Sequence, residues 1–131
     1  MRLVLDACAA VEVVLARAKA QEFERSLQEA DQVLAPDLII SEVVNTIWKY
    51  HQFENLSLTT CDQAIEFAVG LLDVLVPCKE LYREAFLLAR AARQPASDMF
   101  YLALTRREDA GFLTTDRVLR REAERQGVRV L

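Results

Sequence analysis

Histidine and cysteine are scarce in this chain. Its 131 residues include one histidine, His51, and three cysteines that lie far apart and form no C-x-x-C pair. A structural zinc site needs several such ligands at close spacing, so no zinc site is expected. The unpaired, widely spaced cysteines are most simply interpreted as those of a protein in a reducing, cytosolic compartment.

Long hydrophobic runs are also absent. The run that begins at Ala7 is interrupted by Glu12, and the run from Leu38 is interrupted by Ser41 and Glu42. A helix that crosses a membrane needs roughly 18 apolar residues or more. The first residues also lack the basic start and the longer apolar stretch of a secretory signal. We therefore predict no membrane association.

What the chain does contain is enough apolar material for one core. Hydrophobic residues make up 53% of it, which argues against disorder. The length fits one domain better than two, and the sequence shows no linker, low-complexity tract or internal repeat. The prediction is a single domain over residues 1–131.

Short apolar segments alternate with helical patterns along the chain. Strands are predicted at residues 3–5, 33–35, 74–76, 112–114 and 128–131, and helices at residues 7–19, 21–30, 37–50, about 57–72, 79–92, 99–107 and 117–126. Such alternation is typical of a parallel sheet covered by helices on both faces. We predict a three-layer α/β/α domain with a short, mainly parallel five-stranded sheet.

Four acidic residues are expected at the carboxyl ends of these strands, where ligands bind in such sheets. Asp6 follows the first strand, Asp116 follows the fourth, and Asp98 begins the helix that leads into the fourth. Glu42 interrupts an apolar run and is expected to face inward. Each aspartate could instead cap a helix. A buried glutamate, however, needs a partner, and no neighbouring residue supplies a positive charge.

A divalent cation would relieve the repulsion among these carboxylates, one of which would otherwise tend to bind a proton. The ligand set would consist of oxygen atoms, with no histidine or cysteine among them. Hard oxygen ligands suit Mg²⁺ or Mn²⁺. The sequence therefore predicts a magnesium or manganese site.

The net charge of −4 is unevenly distributed. Residues 1–89 carry 7 Lys/Arg against 14 Asp/Glu, a net charge of −7, and residues 90–131 carry 9 against 6, a net charge of +3. In the last predicted helix, Arg117, Arg120, Arg121 and Arg125 share one broad face close to Asp116. This face could be a simple solvated surface or could contact phosphates. We expect Arg117, Arg120 and Arg121 to contact nucleic acid.

Four sequence blocks that carry the acids occur in order along nearly the whole chain. They are Leu3-Val4-Leu5-Asp6-Ala7, Pro36 through Ser41-Glu42-Val43-Val44-Asn45, Ser97-Asp98 running into Tyr101-Leu102-Ala103-Leu104, and Phe112-Leu113-Thr114-Thr115-Asp116-Arg117. Together these blocks resemble the PIN domain family, and specifically its VapC-type toxins. Two positions depart from the family pattern. Cys8 stands where a hydroxyl or amide residue is frequent, and Leu119 lies near where some relatives have a further acid.

The resemblance implies a metal-dependent endoribonuclease, the toxin half of a toxin–antitoxin pair, with a PIN-like fold. The residues that would bind Mg²⁺ or Mn²⁺, directly or through water, are Asp6, Glu42, Asp98 and Asp116. Glu42 would alternatively orient the attacking water. Thr114 and Asn45 would hydrogen-bond to these ligands. Metal ions held by carboxylates can activate water and neutralise charge during phosphodiester hydrolysis, so no side-chain nucleophile is required.

The expected partners are an RNA substrate, a cognate antitoxin protein and a second copy of the chain. Trp48, Tyr50 and Phe53 continue the apolar stripe of their helix past its expected end. Exposed aromatic residues often anchor interfaces, although these three could instead fill the core.

Three other functions compete with this interpretation. A phosphoreceiver domain needs an aspartate after the third strand, where this chain has Pro77-Cys78, and a lysine after the fifth, where it stops at Leu131. A PIN-like DNA nuclease usually has helical insertions that this compact chain lacks. A PIN scaffold kept only for binding would be indicated by the loss of an acid, and all four are present.

Overall fold

The computed structural model describes residues 1–131 as seven α-helices around one five-stranded sheet. The strands are β1 (Arg2–Leu5), β2 (Gln32–Pro36), β3 (Val74–Val76), β4 (Gly111–Leu113) and β5 (Arg129–Val130). The helices are α1 (Ala7–Val14), α2 (Ala20–Glu29), α3 (Ile39–Glu54), α4 (Leu58–Gly70), α5 (Tyr82–Ala92), α6 (Ala96–Arg107) and α7 (Arg117–Arg125), with a 3-10 turn at Cys78–Glu80. None of the helices has the length and hydrophobicity needed to span a membrane.

All strand pairs are parallel, and the strand order is β3-β2-β1-β4-β5. The predicted three-layer fold with a five-stranded parallel sheet is therefore confirmed. The chain leaves β1 toward β2 on one side and later returns to place β4 on the other. The carboxyl ends of β1 and β4 thus lie side by side, with Leu5 paired to Leu113. This point, where the direction of strand order reverses, is where such sheets bind ligands.

The core is formed by the central strands and the helices that cover them. Leu3, Val4 and Leu5 of β1 are fully buried, as are Phe112 and Leu113 of β4. Helix α6 packs on β1 and β2 and along α5, while α1, α3 and α4 pack against one another. Strands buried on both faces explain why these segments are continuously apolar instead of alternating.

The first helix is shorter than predicted. It ends at Val14, because Ala16 adopts a left-handed backbone conformation with φ of 52°. The Glu12 carboxylate accepts a hydrogen bond of 2.9 Å from the backbone N–H of Lys19, which ties the following loop back to the helix. The apolar pattern of residues 7–19 continues through this loop, so the sequence did not reveal the break.

The start of α3 also differs from the prediction. The helix was predicted to begin at residue 37, but Pro36 pairs with Val76 in the sheet and α3 runs from Ile39 to Glu54. Asn55 ends it in a left-handed conformation with φ of 57°. The longer helix extends beyond the predicted end at Tyr50.

Candidate functional site

The structure brings the four predicted acids together at the carboxyl edge of the sheet. Asp6 directly follows β1, and Asp116 begins α7 just after β4. Glu42 and Asp98 lie in the first turns of α3 and α6. The side chains are close enough for the negative charge of a neighbouring acid to raise the pKa of Asp6, Glu42 and Asp98. No lysine, arginine or histidine forms an ion pair with any of them.

Asp6 is the most buried of the four, with 4% of its surface exposed. One carboxylate oxygen accepts a hydrogen bond of 2.8 Å from the Ala9 N–H and caps α1, and the other accepts one from the Thr114 hydroxyl. Burial raises the pKa of Asp6 to about 7, against the lowering effect of these two hydrogen bonds. The charges of Asp116 and Glu42 raise the Asp6 pKa further.

Thr114 connects two of the acids. Its buried hydroxyl donates to Asp6 and accepts a hydrogen bond of 3.0 Å from the backbone N–H of Asp116. A short side chain bonded on both sides has little freedom to move. Thr114 therefore fixes the end of β1 relative to the start of α7.

Asp116 is the N-cap of α7. Its Oδ1 accepts hydrogen bonds from the backbone N–H groups of Val118 at 2.9 Å and Leu119 at 3.0 Å. Its Oδ2 accepts none. Capping is thus the correct local description of both Asp6 and Asp116, and in Asp116 it leaves one oxygen free for a ligand.

Asp98 does not cap its helix, so the alternative in which this aspartate serves as a helix cap is wrong. Pro95 occupies the N-cap position and α6 begins at Ala96, so Asp98 falls inside the first turn. Its carboxylate accepts no hydrogen bond from the protein. Burial, and then the charge of Asp116, raise the pKa of Asp98 above its usual value.

Glu42 is half-buried and has a partner that sequence reasoning missed. The Tyr101 hydroxyl, 59 residues away in the chain, donates a hydrogen bond of 2.6 Å to Glu42 Oε1. Burial raises the pKa of Glu42, this hydrogen bond opposes the rise, and the Asp98 charge adds to it. Burial also raises the pKa of Tyr101, so its hydroxyl remains a donor. The available sequence signal was the three-residue spacing of Asp98 and Tyr101, which places both on one side of α6.

Asn45, by contrast, has no hydrogen bond to the site. It is exposed on α3, and its side chain contacts none of the four acids through a hydrogen bond. The expected bond from Asn45 to the acids is therefore not found in this arrangement. Its role toward a bound ligand stays a prediction.

The predicted basic face of α7 is divided between paired and unpaired arginines. Arg120 forms an ion pair with Glu124 at 3.2 Å and a hydrogen bond of 3.3 Å to the Leu131 carbonyl. Arg125 is paired with Glu122. Two arginines are exposed and have no ion pair, and these are Arg117 and Arg121.

The donor atoms of the site suit a hard divalent ion by their chemistry, because all are carboxylate oxygens. No group of three or more His, Cys, Asp or Glu side chains is arranged to hold a metal ion directly. An ion bound here would therefore have to reach some of these carboxylates through water molecules, several of which Mg²⁺ usually keeps. His51 is not a candidate ligand here, because it lies in the last turn of α3, whereas Glu42 lies in the first.

Comparison with known proteins agrees with this architecture. A model of the PIN domain family matches residues 3–124. The chain is 28% identical over 124 residues to ribonuclease VapC3 of Pyrobaculum aerophilum, covering 91% of this chain and 92% of that protein. The similarity in fold extends to two crystal structures of lower sequence identity.

The first is PAE2754 from Pyrobaculum aerophilum, with a TM-score of 0.75 and 16% identity over 99% of this chain and 89% of that one. The second is VapBC2 from Rickettsia felis, bound to a DNA fragment from their promoter, with a TM-score of 0.67 and 12% identity over 100% of this chain and 98% of that one. At these identities the two structures share the fold. Because the family match spans nearly the whole sequence, the chain belongs to the PIN domain family.

Proposed function

We propose that this chain is an endoribonuclease dependent on Mg²⁺ or Mn²⁺, and that it is the toxin component of a VapBC-type toxin–antitoxin pair. The observation that carries the proposal is the gathering of four carboxylates at the strand-order reversal with no basic side chain paired to them. Such a group of like charges is unfavourable unless a cation or protons neutralise it. The ribonuclease similarity gives the substrate class.

Each acid has a role that follows from how it is held. Asp6, fixed by Ala9 and Thr114, provides a rigid anchor at the floor of the site. Asp98 and the free oxygen of Asp116 would provide the remaining contacts to an ion or its waters. Glu42, held by its one hydrogen bond, would bind the ion or orient the attacking water. Bound divalent ions supply positive charge for the scissile phosphate and acidify water.

A covalent mechanism through the neighbouring thiol is not favoured. Cys8 lies two residues after Asp6 and is exposed, but partial desolvation of its thiol, followed by the charges of Asp6 and Asp116, raises the thiol pKa to about 11. A thiol needs to lose its proton to act as a nucleophile. Hydrolysis by water is therefore the mechanism that fits the site.

RNA binding is assigned to the basic face that begins beside Asp116. Arg117 and Arg121 lie one turn apart and are free to contact phosphates flanking the scissile bond. Arg120 would first have to exchange its ion pair with Glu124 for a phosphate. Asn45 would contribute a hydrogen bond to the bound RNA or to a water at the site.

The antitoxin would bind an apolar groove away from the acids. This groove, of about 700 Å³, lies between α1, α2 and α4 and includes none of the four acidic site residues. Val13, Phe67 and Leu71 form its apolar wall, and Glu24 and Glu66 lie at its edge. The groove would suit an amphipathic peptide with basic residues. The VapBC2 structure offers a precedent of the same fold for a toxin–antitoxin complex.

A homodimer is proposed through the outer surface of α3. Trp48 and Phe53 are 51% and 72% exposed, and their rings meet edge to face with centroids 6.1 Å apart. Large exposed aromatic side chains of this kind anchor interfaces. Tyr50 is partly buried beneath the guanidinium of Arg17 and contributes less.

The test is cleavage of end-labelled single-stranded RNA by the purified chain. We expect cleavage with Mg²⁺ or Mn²⁺, its loss in excess EDTA and its recovery when metal is restored. Cleavage that persists unchanged in EDTA would contradict the proposal. Cleavage of DNA but not RNA would favour the DNA nuclease alternative, and no cleavage of either nucleic acid would favour the binding scaffold.

A further inference from the structure

We propose that Tyr101 is a positioning residue of this site, which holds the Glu42 carboxylate within the acid cluster, where it can act on a divalent ion or its bound water. The inference deepens the proposed function and rests on it. Its basis is the single hydrogen bond that joins α6 to α3 across the site, from the Tyr101 hydroxyl to Glu42 Oε1 at 2.6 Å.

The tyrosine ring is held firmly in place. Tyr101 is 2% exposed, and its ring packs against Phe112 of β4 with centroids 6.5 Å apart. Its hydroxyl is therefore presented from a fixed position in the core. The same helix carries Asp98 one turn earlier, so α6 supplies one acid and also the hydroxyl that fixes the acid of α3.

The hydrogen bond opposes the movement that electrostatics would otherwise favour. A glutamate among other carboxylates is repelled by them, and its three flexible torsions allow it to turn toward water. Asp98 is one of the charges that act on Glu42. By donating to Oε1, Tyr101 keeps the carboxylate within the cluster and leaves Oε2 without a protein donor, available to a ligand.

Thr105 shows what a buried hydroxyl on α6 does when it has only a structural role. It is 1% exposed and donates 2.7 Å to the backbone carbonyl of Tyr101, within its own helix. The Tyr101 hydroxyl instead bonds to a carboxylate on another helix. Thr105→Val therefore provides a matched control that removes a buried hydroxyl from the same helix without touching an acid.

The experiment compares Tyr101→Phe, which keeps the ring, with Thr105→Val and the wild type. Mn²⁺ affinity of the metal-free proteins is measured by calorimetry, and kcat and KM by RNA cleavage. We expect Tyr101→Phe to lose about 10- to 100-fold in Mn²⁺ affinity and in kcat, the range found when a partner of a metal ligand is removed. The KM for RNA should change little, and Thr105→Val should match the wild type in both measurements.

A double variant tests whether Tyr101 acts through Glu42. If it does, Tyr101→Phe should have almost no further effect in a Glu42→Gln background. The inference would be overturned if Tyr101→Phe lowered Mn²⁺ affinity and kcat as much in the Glu42→Gln background as in the wild type. It would also be overturned if Thr105→Val caused the same loss as Tyr101→Phe, or if Tyr101→Phe behaved like the wild type.

These outcomes separate the inference from the proposed function. A wild type that binds Mn²⁺ with Tyr101-dependent affinity but cleaves no RNA would support the positioning role and contradict the nuclease. If the wild type cleaves RNA and Tyr101→Phe is equally active, the result would support the nuclease and contradict the positioning role of Tyr101. A wild type that neither binds Mn²⁺ nor cleaves RNA would overturn both.

Discussion

The four acidic residues are held to different degrees, and this decides what each can do. Both oxygens of Asp6 accept hydrogen bonds, one oxygen of Asp116 and one of Glu42 do so, and neither oxygen of Asp98 does. Asp6 is therefore a fixed anchor and Asp98 is the least constrained. A ligand that enters this site meets one rigidly held carboxylate, that of Asp6, and one that is free to adjust, that of Asp98.

The buried Asp6 should make the metal-free protein less stable as the pH rises. Its pKa is raised by burial from 3.8 to about 7, so the folded protein binds the proton more tightly than the unfolded chain. The stability that this proton contributes is complete below about pH 4 and is lost as the pH rises to about 7. Each unit of pKa shift corresponds to ~1.4 kcal/mol, so the loss amounts to a few kcal/mol at most.

Asp6→Asn removes this titration while its side-chain oxygen can still cap α1. We expect a flatter dependence of the free energy of unfolding on pH between 4 and 8, and higher stability than the wild type at pH 8. Urea denaturation in EDTA measures both. Asp62→Asn, which removes an exposed acid from α4, is the control and should follow the wild-type curve. Parallel curves for Asp6→Asn and the wild type would contradict the account.

The positions of the acids could be predicted from the sequence. The hydrogen bonds that hold their side chains could be predicted only in part. A polar residue after a buried apolar strand marks the sheet edge, which is why Asp6 and Asp116 were recognised. The partner of Glu42 could not be recognised, because its hydrogen bond to Tyr101 depends on how α3 and α6 pack. Pro95, which starts α6 earlier than expected, likewise changed Asp98 from a supposed cap to a free carboxylate.

At the level of secondary structure, α7 carries two unpaired arginines and two that are paired with glutamates. Arg117 and Arg121 have no acidic partner, whereas Arg120 and Arg125 are paired with glutamates of the same helix. We expect an Arg117→Ala, Arg121→Ala variant to bind RNA more weakly and to have a shallower salt dependence, by about 0.7 for each phosphate of a single strand that is no longer bound. Affinity is measured against salt, in Ca²⁺ if that ion binds without supporting cleavage.

The matched control is Arg120→Ala, Arg125→Ala, which removes the same charge from the same helix. Its effect on the salt dependence should be smaller, because these two guanidinium groups are already engaged. If the two variants change RNA affinity and its salt dependence equally, RNA binding depends on the overall charge of the protein and not on Arg117 and Arg121 in particular.

The ends of the helices were less predictable than their existence. Hydrophobic periodicity located all seven helices, yet α1 stops at Val14 although the apolar pattern continues. The cause is the left-handed conformation of Ala16, a backbone state that alanine rarely adopts and that composition does not indicate. Ser57 and Gly127, in contrast, are residues with a strong preference for helix ends, and they lie at the start of α4 and just after the end of α7.

For the molecule as a whole, strand order is what makes a site from residues distant in sequence. The pairing of β1 with β4 brings Asp6 within reach of Thr114 across 108 positions of the chain. The sequence shows apolar strands and their direction, because short strands joined by helices run parallel. It does not show that β1 lies between β2 and β4, which only the packed structure reveals.

The exposed aromatic pair on α3 leads to a prediction about assembly. We expect Trp48→Ala, Phe53→Ala to shift the protein from dimer to monomer in sedimentation experiments, with an unchanged circular dichroism spectrum. The comparison is Phe86→Ala, Leu87→Ala on α5, which removes 64% and 59% exposed side chains from another surface. Dissociation caused by the α5 variant alone would place the interface there and contradict the assignment to α3.

The most direct test of the account is the RNA cleavage rate of Asp98→Asn. This carboxylate accepts no hydrogen bond and does not cap its helix, so the substitution should cost no more than about 1 kcal/mol in helix-dipole stabilisation. Any loss of activity therefore reports on the charge itself. With Mn²⁺ present, we predict a rate at least ~100-fold lower, together with weaker Mn²⁺ binding, while Asp62→Asn remains fully active. An Asp98→Asn protein that binds Mn²⁺ and cleaves RNA like the wild type would contradict the claim that these carboxylates hold the catalytic ion.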